Sequence, residues 1–193
     1  MTVAPTVFLA GQASAETILA TILRAAGFAA RVHATHRRKG AAAEPYVNHV
    51  LEVAEILAAA GAPPAAIVAG LLHDTVEDSD ADPVPTTLAD LEAAFGAEVS
   101  DDKSLPKEVR KGLQIRHAAR ASEAAKQVKL ADKIANLRTM RSSPPIGWDH
   151  ARRLEYVGWA GRVAAGAKGI NPALDALFDE TYRHAVARLA EEA

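Results

Sequence analysis

Ala65-Ala66-Ile67-Val68-Ala69-Gly70-Leu71-Leu72-His73-Asp74-Thr75-Val76-Glu77-Asp78 joins a run that must be buried to four polar side chains within six residues. At helical spacing one helix presents all four, with Glu77 at i+4 from His73 and Asp78 at i+4 from Asp74. An imidazole and a carboxylate delivered to the end of an apolar segment need a compensating partner, and a metal ion is one.

Two more polar side chains interrupt apolar helical faces. His49, in Pro45-Tyr46-Val47-Asn48-His49-Val50-Leu51-Glu52-Val53-Ala54-Glu55-Ile56-Leu57, shares its face with Val53, Ile56 and Leu57. Asp132, in Val128-Lys129-Leu130-Ala131-Asp132-Lys133-Ile134-Ala135-Asn136-Leu137-Arg138, shares a stripe with Val128, Ala135 and Asn136. An acid in that setting is costly unless neutralised. Taken singly, His49 also reads as a hydrogen-bonded core histidine, Asp132 as a capping or salt-bridged acid, and the acidic run 77–82 as a solvated helix exit. Together, His49, His73, Asp74 and Asp132 form a two-imidazole, two-carboxylate donor set. Such N/O ligation suits Mn²⁺ or Fe²⁺, with Zn²⁺ also compatible. The chain has no Cys, so neither thiolate ligation nor a disulfide is available.

The 193 residues, 49% of them apolar, suffice for one domain with one core, with 1–13 read as a loose tail. Helices are expected at 14–34, 45–60, 64–77, 87–95, 106–118, 123–141, 148–167 and 172–191. The punctuation is Gly61-Ala62-Pro63-Pro64, a Thr87/Asp90 cap, Gly96, Pro144-Pro145, and Asn171 before Pro172. No strand-like alternation of useful length occurs. The expected fold is all-α, an orthogonally packed bundle with the metal site between facing helices.

These motifs resemble the HD phosphohydrolase superfamily, and within it the Rel/Spo alarmone hydrolases. The resemblance rests on Arg37-Arg38-Lys39 with Glu44-Pro45-Tyr46-Val47-Asn48-His49, on Leu71 to Asp78, on Val128 to Arg138, and on Gly147-Trp148 and Glu155-Tyr156. It runs from about residue 25 to about residue 170 and is nearest to the stand-alone small alarmone hydrolases, including the metazoan SpoT homologue. It implies an HD-domain helical bundle and Mn²⁺-dependent removal of the 3′-pyrophosphate of ppGpp or pppGpp, giving GDP or GTP. It further implies substrate contacts at Arg38, Lys39, Lys107, Asn136 and Tyr156; beside the resemblance, the i+4 spacing of Glu77 and Asp78 from His73 and Asp74 assigns them to orienting or deprotonating the attacking water and to proton transfer at the leaving group. Asn136 has independent support, because i+4 from Asp132 it faces the same site. Such chemistry needs activated water, neutralised phosphate charge, and proton management at the leaving oxygen; a divalent cation supplies the first.

Three segments depart from the family pattern. Ser79–Pro85 is a longer loop, the connection 96–101 is shorter by about seven residues, close to two helical turns, and Gly40-Ala41-Ala42-Ala43 replaces a Ser-Gly link. Alternatives to the alarmone reading are an HD phosphatase acting on NADPH or another phosphorylated nucleotide, and a catalytically silent nucleotide-binding domain. A net charge of −2 with no basic stripe beyond 37–39 argues against nucleic acid as a partner. No segment approaches the ~20 apolar residues of a membrane span, and a cytoplasmic protein with a small-molecule substrate is expected; the sequence does not specify an oligomeric state.

Overall fold

The computed structural model describes residues 14–78, 86–87, 90–91 and 121–192. The expectations for the tail 1–13, the loop 79–85, the connection 96–101, helix 106–118 with Lys107, and most of helix 87–95 lie outside the described residues. At the start of that last segment the cap is present: Asp90 Oδ2 accepts from Thr87 N at 2.8 Å, and Thr87 Oγ1 accepts from Asp90 N at 3.2 Å.

Seven helices occur among the described residues: α1 Ala15–Val32, α2 Val47–Ala59, α3 Pro64–Leu72, α4 Thr75–Asp78, α5 Glu123–Ser142, α6 His150–Ala167 and α7 Pro172–Glu191. Their starts follow from side chains that satisfy the free N–H groups of a first turn. Ser14 accepts from Thr17 N, Ser122 from Ala125 N and Asp149 from Arg152 N. Asn171 caps α7 by accepting from Ala173 N and Leu174 N. Its amide nitrogen donates to Ala60 O beyond α2 and to Gln127 Oε1 on α5, so one residue ties three helices together.

The expected helix 64–77 is interrupted. α3 ends at Leu72, His73 and Asp74 form a turn, and α4 restarts at Thr75. Two local side-chain bonds accompany the break: His73 Nδ1 lies 2.8 Å from Gly70 O, and Thr75 Oγ1 donates to Leu72 O at 2.7 Å. Side-chain groups thereby compete for carbonyls that the helical ladder would use. The i+4 relation of Glu77 and Asp78 to His73 and Asp74 therefore does not run along one unbroken helix.

α5 is the central element, packed against α2, α3, α6 and α7. Its Leu130, Ala131, Ile134 and Ala135 are fully buried, with Leu57, Val157, Val163 and Leu174 contributed by neighbours. A smaller cluster joins Ala25 on α1 to Ala54, Leu71, Leu72 and Leu91. Gly70 makes the α2–α3 contact close: a Cβ there would lie 2.6 Å from Leu57 Cδ1 and 3.3 Å from Val53 Cγ1. That approach brings His49 on α2 to the end of α3.

The chain between α1 and α2 doubles back through Arg38 N to Glu44 O at 2.8 Å and Tyr46 N to His36 O at 3.0 Å. Lys39 O accepts from Ile146 N at 2.8 Å, and Gly40 bridges Pro145, fastening this loop to the α5–α6 connection. A Cβ at Gly40 would lie 2.6 Å from the Ser143 carbonyl oxygen, so the crossing requires glycine. Only isolated bridges, and no strand, occur among the described residues, and no helix there is long and apolar enough to cross a membrane.

Gly70→Ala should overpack the α2–α3 contact and lower stability by about 1–3 kcal/mol, read as a reduced urea midpoint with an unchanged denaturant slope.

Candidate metal centre

Three segments converge on one point: α2 with His49, the α3–α4 turn with His73 and Asp74, and α5 with Asp132. His73 Nε2 lies 3.0 Å from Asp74 Oδ2 and 3.8 Å from Asp132 Oδ1. His49 Nε2 lies 3.2 Å from Asp132 Oδ1 and 3.6 Å from Asp74 Oδ2. Donor atoms of His49, His73 and Asp74 fall within 4.8 Å of one another. Neighbouring donors around an ion bound at 2.0–2.2 Å are spaced by about 3.0–3.6 Å, so the arrangement matches a single divalent cation.

The histidine environment also fits a cation. His73 Nδ1 is engaged by Gly70 O, which leaves Nε2 as the ligand atom, and that nitrogen is buried without a hydrogen-bond partner. His49 Nδ1 is likewise buried without a partner, so no outer hydrogen bond fixes its tautomer.

The carboxylates are held ionised. Burial pushes Asp74 upward, but His73 outweighs it and leaves the carboxyl well below the usual range. Burial opposes the charge on Asp132 too, and Lys133 followed by the two imidazoles overcomes it. His73 is driven down by burial and up by Asp74 and Asp132, with a net rise well above the ordinary imidazole value. Lys133 Nζ donates to Asp132 Oδ2 at 2.5 Å and rests 4.6 Å from the centre of the Trp159 ring; it is buried and its ammonium is strongly favoured.

Of the expected substrate contacts, Arg38 and Asn136 stand at this cluster. Asn136 Nδ2 donates to Asp132 Oδ1 at 2.5 Å, and Arg38 Nη2 donates to Asn136 Oδ1 at 2.8 Å. Tyr156 packs between Trp148 and Trp159, and burial beside the cluster raises its hydroxyl to about 12, so it stays neutral and can donate. The three adjacent cations divide their work. Arg37 turns away to Ala34 O and His36 O, Arg38 turns inward, and the Lys39 side chain is exposed. Glu77 and Asp78 stand on α4 immediately after the cluster; their side chains, like Lys107, lie outside the described residues.

The sequence reading omitted Lys133, Tyr46 and His33. Lys133 is legible as the residue after Asp132 among apolar neighbours. Tyr46, three residues before His49, donates to Asp74 Oδ2 at 2.7 Å. His33 is fully buried against the Tyr46 ring, and burial lowers it to about 4.

A family model described as an HD domain matches residues 25–140, which contain both imidazoles and both carboxylates. The chain belongs to the HD-domain family. It is 45% identical over 172 residues to the Xenopus tropicalis guanosine-3′,5′-bis(diphosphate) 3′-pyrophosphohydrolase MESH1, covering 84% of this chain and 93% of that protein. The human MESH1 is 44% identical over 173 residues, with 85% and 94% covered. A solved structure, of a metazoan orthologue of SpoT that hydrolyses ppGpp and plays a role in starvation responses, superposes with a TM-score of 0.78 at 39% identity. That match covers 91% of this chain and 98% of the other.

Two outcomes follow for the HD domain. Lys133→Met, which keeps the stem on Trp159 but strips Asp132 of its cation, should cost about 3 kcal/mol in urea denaturation. In EDTA, stability should peak near pH 6.5. His73, raised above 6.5 in the fold, contributes fully below pH 6.5 and loses that contribution as pH rises through its folded value. His33, lowered from 6.5 to about 4, withdraws stability as pH falls through that interval, and Asp74 and Asp132 withdraw theirs at lower pH still. Denaturation curves from pH 4 to 9 should trace this maximum, and His33→Gln should flatten the limb between 6.5 and 4.

Proposed function

We propose that this HD-domain protein is a (p)ppGpp 3′-pyrophosphohydrolase, releasing pyrophosphate and GDP from ppGpp or GTP from pppGpp. The observation that carries this is the convergence of His49, His73, Asp74 and Asp132, joined through Asn136 to the guanidinium of Arg38. It gains support from MESH1 relatives that share more than two-fifths of their residues with this chain.

A divalent cation held by those four residues, with Mn²⁺ the proposed ion and Fe²⁺ or Zn²⁺ the alternatives, supplies acidification of water and neutralisation of phosphate charge. The residues of the chain do the rest. Lys133 keeps Asp132 ionised and Asn136 holds one of its oxygens in place. Arg38 offers a planar fork to the pyrophosphate oxygens, and Lys39 on the same loop, with Lys107, adds point charges. The neutral Tyr156 hydroxyl donates to the nucleotide. Water oxygen forms a bond to the phosphorus carried on O3′ as the P–O3′ bond breaks. Glu77 and Asp78 take the proton of the attacking water and return one to O3′, leaving a free 3′-hydroxyl and pyrophosphate. The whole chain is read as one such domain acting in the cytoplasm on a small nucleotide, with nucleic acid playing no part.

The test is anion-exchange chromatography of ppGpp incubated with the protein and Mn²⁺, beside a His73→Ala/Asp74→Ala control and a parallel NADPH incubation. GDP and pyrophosphate should appear, and the control should lose at least 10³-fold of the rate, on the order expected when a reaction loses its activating cation. Intact ppGpp together with phosphate release from NADPH would move the activity to the other phosphatase.

A further inference from the structure

We propose that Tyr46 is a positioning residue of the metal centre, its hydroxyl fixing the Asp74 carboxylate in the orientation that turns Oδ2 toward both imidazoles; this rests on the metal reading above. Tyr46 Oη donates to Asp74 Oδ2 at 2.7 Å, and the same oxygen lies 3.0 Å from His73 Nε2 and 3.6 Å from His49 Nε2. One lone pair of the ligand oxygen is thus occupied from outside the cluster, which sets the direction of the other. Asp74 needs this because it stands in the turn between α3 and α4, where no continuous helix orients its side chain.

Tyr46 is itself held on every side. Its backbone donates to His36 O and accepts from His49 N. Its ring lies 4.9 Å from the fully buried His33 ring and meets His49 edge-on at 5.6 Å, and the Arg38 guanidinium sits 5.5 Å from its centre. A hydroxyl on a ring fixed by three partners has little freedom, so its hydrogen bond carries a direction as well as an energy. Tyr46 therefore touches both halves of the site, Arg38 through its face and Asp74 through its hydroxyl, while acting on the cation only through Asp74.

Y46F removes the hydroxyl and keeps the ring. Mn²⁺ alone is titrated into wild type, Y46F and the His73→Ala/Asp74→Ala variant, with free Mn²⁺ followed by its electron paramagnetic resonance signal; melting is recorded in EDTA, and ppGpp turnover against Mn²⁺. Y46F should bind Mn²⁺ about tenfold or more weakly. It should melt within about 4 °C of wild type without metal, and regain most of its turnover once Mn²⁺ is raised to a plateau. Unchanged Mn²⁺ affinity overturns the proposal while leaving the metal reading in place. So does a much lower melting point, which makes Tyr46 structural, and so does a turnover loss that Mn²⁺ does not restore, which places the hydroxyl on the substrate. Wild type binding Mn²⁺ no better than the double variant sinks the metal reading, and the role of Tyr46 with it.

Discussion

Two carboxylates that the fold brings to the same pair of imidazoles set the terms for everything around them. Asp74 and Asp132 repel each other, and neither is solvated well enough to dissipate that repulsion. The chain answers with a buried ammonium on Asp132, a phenol on Asp74 and an amide on the second face of Asp132. The remaining negative charge falls on His73, whose hold on a proton the two carboxylates strengthen. Apolar side chains in place of the acids would avoid that electrostatic cost, and clusters of this kind concentrate at functional sites.

The position of α5 explains how such a cluster is tolerated. A helix packed against four others is well anchored, and the carboxylate, the lysine that neutralises it and the amide that bonds it occupy Asp132, Lys133 and Asn136 within little more than one turn. Their relative geometry is therefore fixed by the helix. The other members of the cluster come from α2 and from a turn, and their placement relies on the close α2–α3 contact at Gly70 and on side-chain bonds. The centre has one rigid wall and one wall assembled from smaller parts.

That division tracks what the sequence made legible. His49 and Asp132 stand out as polar residues in apolar stripes, and Asn136 follows from helical spacing. The start of α7 was visible because Asn171 before Pro172 is a cap that depends only on near neighbours, whereas the caps Ser14, Ser122 and Asp149 were not singled out although they are equally local. The break at His73 was not visible, because the run from Ala65 to Leu72 carries no helix breaker after Gly70 and the competing bonds involve only local rotamers of His73 and Thr75. Lys133 stands beside Asp132 among apolar neighbours, but its burial depends on α6 bringing Trp159 against it, a contact no local pattern announces. The fastening of Gly40 to Pro145 joins residues far apart in the chain, and no local pattern announces it.

The loop carrying Arg38 is held by main-chain hydrogen bonds at Arg38, Lys39, Ala43 and Tyr46, and by the Gly40 crossing. Side chains at Ala41, Ala42 and Ala43 contribute nothing to that register, and Ala43 even adopts the left-handed conformation, φ 44°, that usually falls to glycine. The loop is therefore a frame made of backbone: the guanidinium of Arg38 is carried by peptide groups pinned at both ends, and the three alanines at the tip serve only to complete its length.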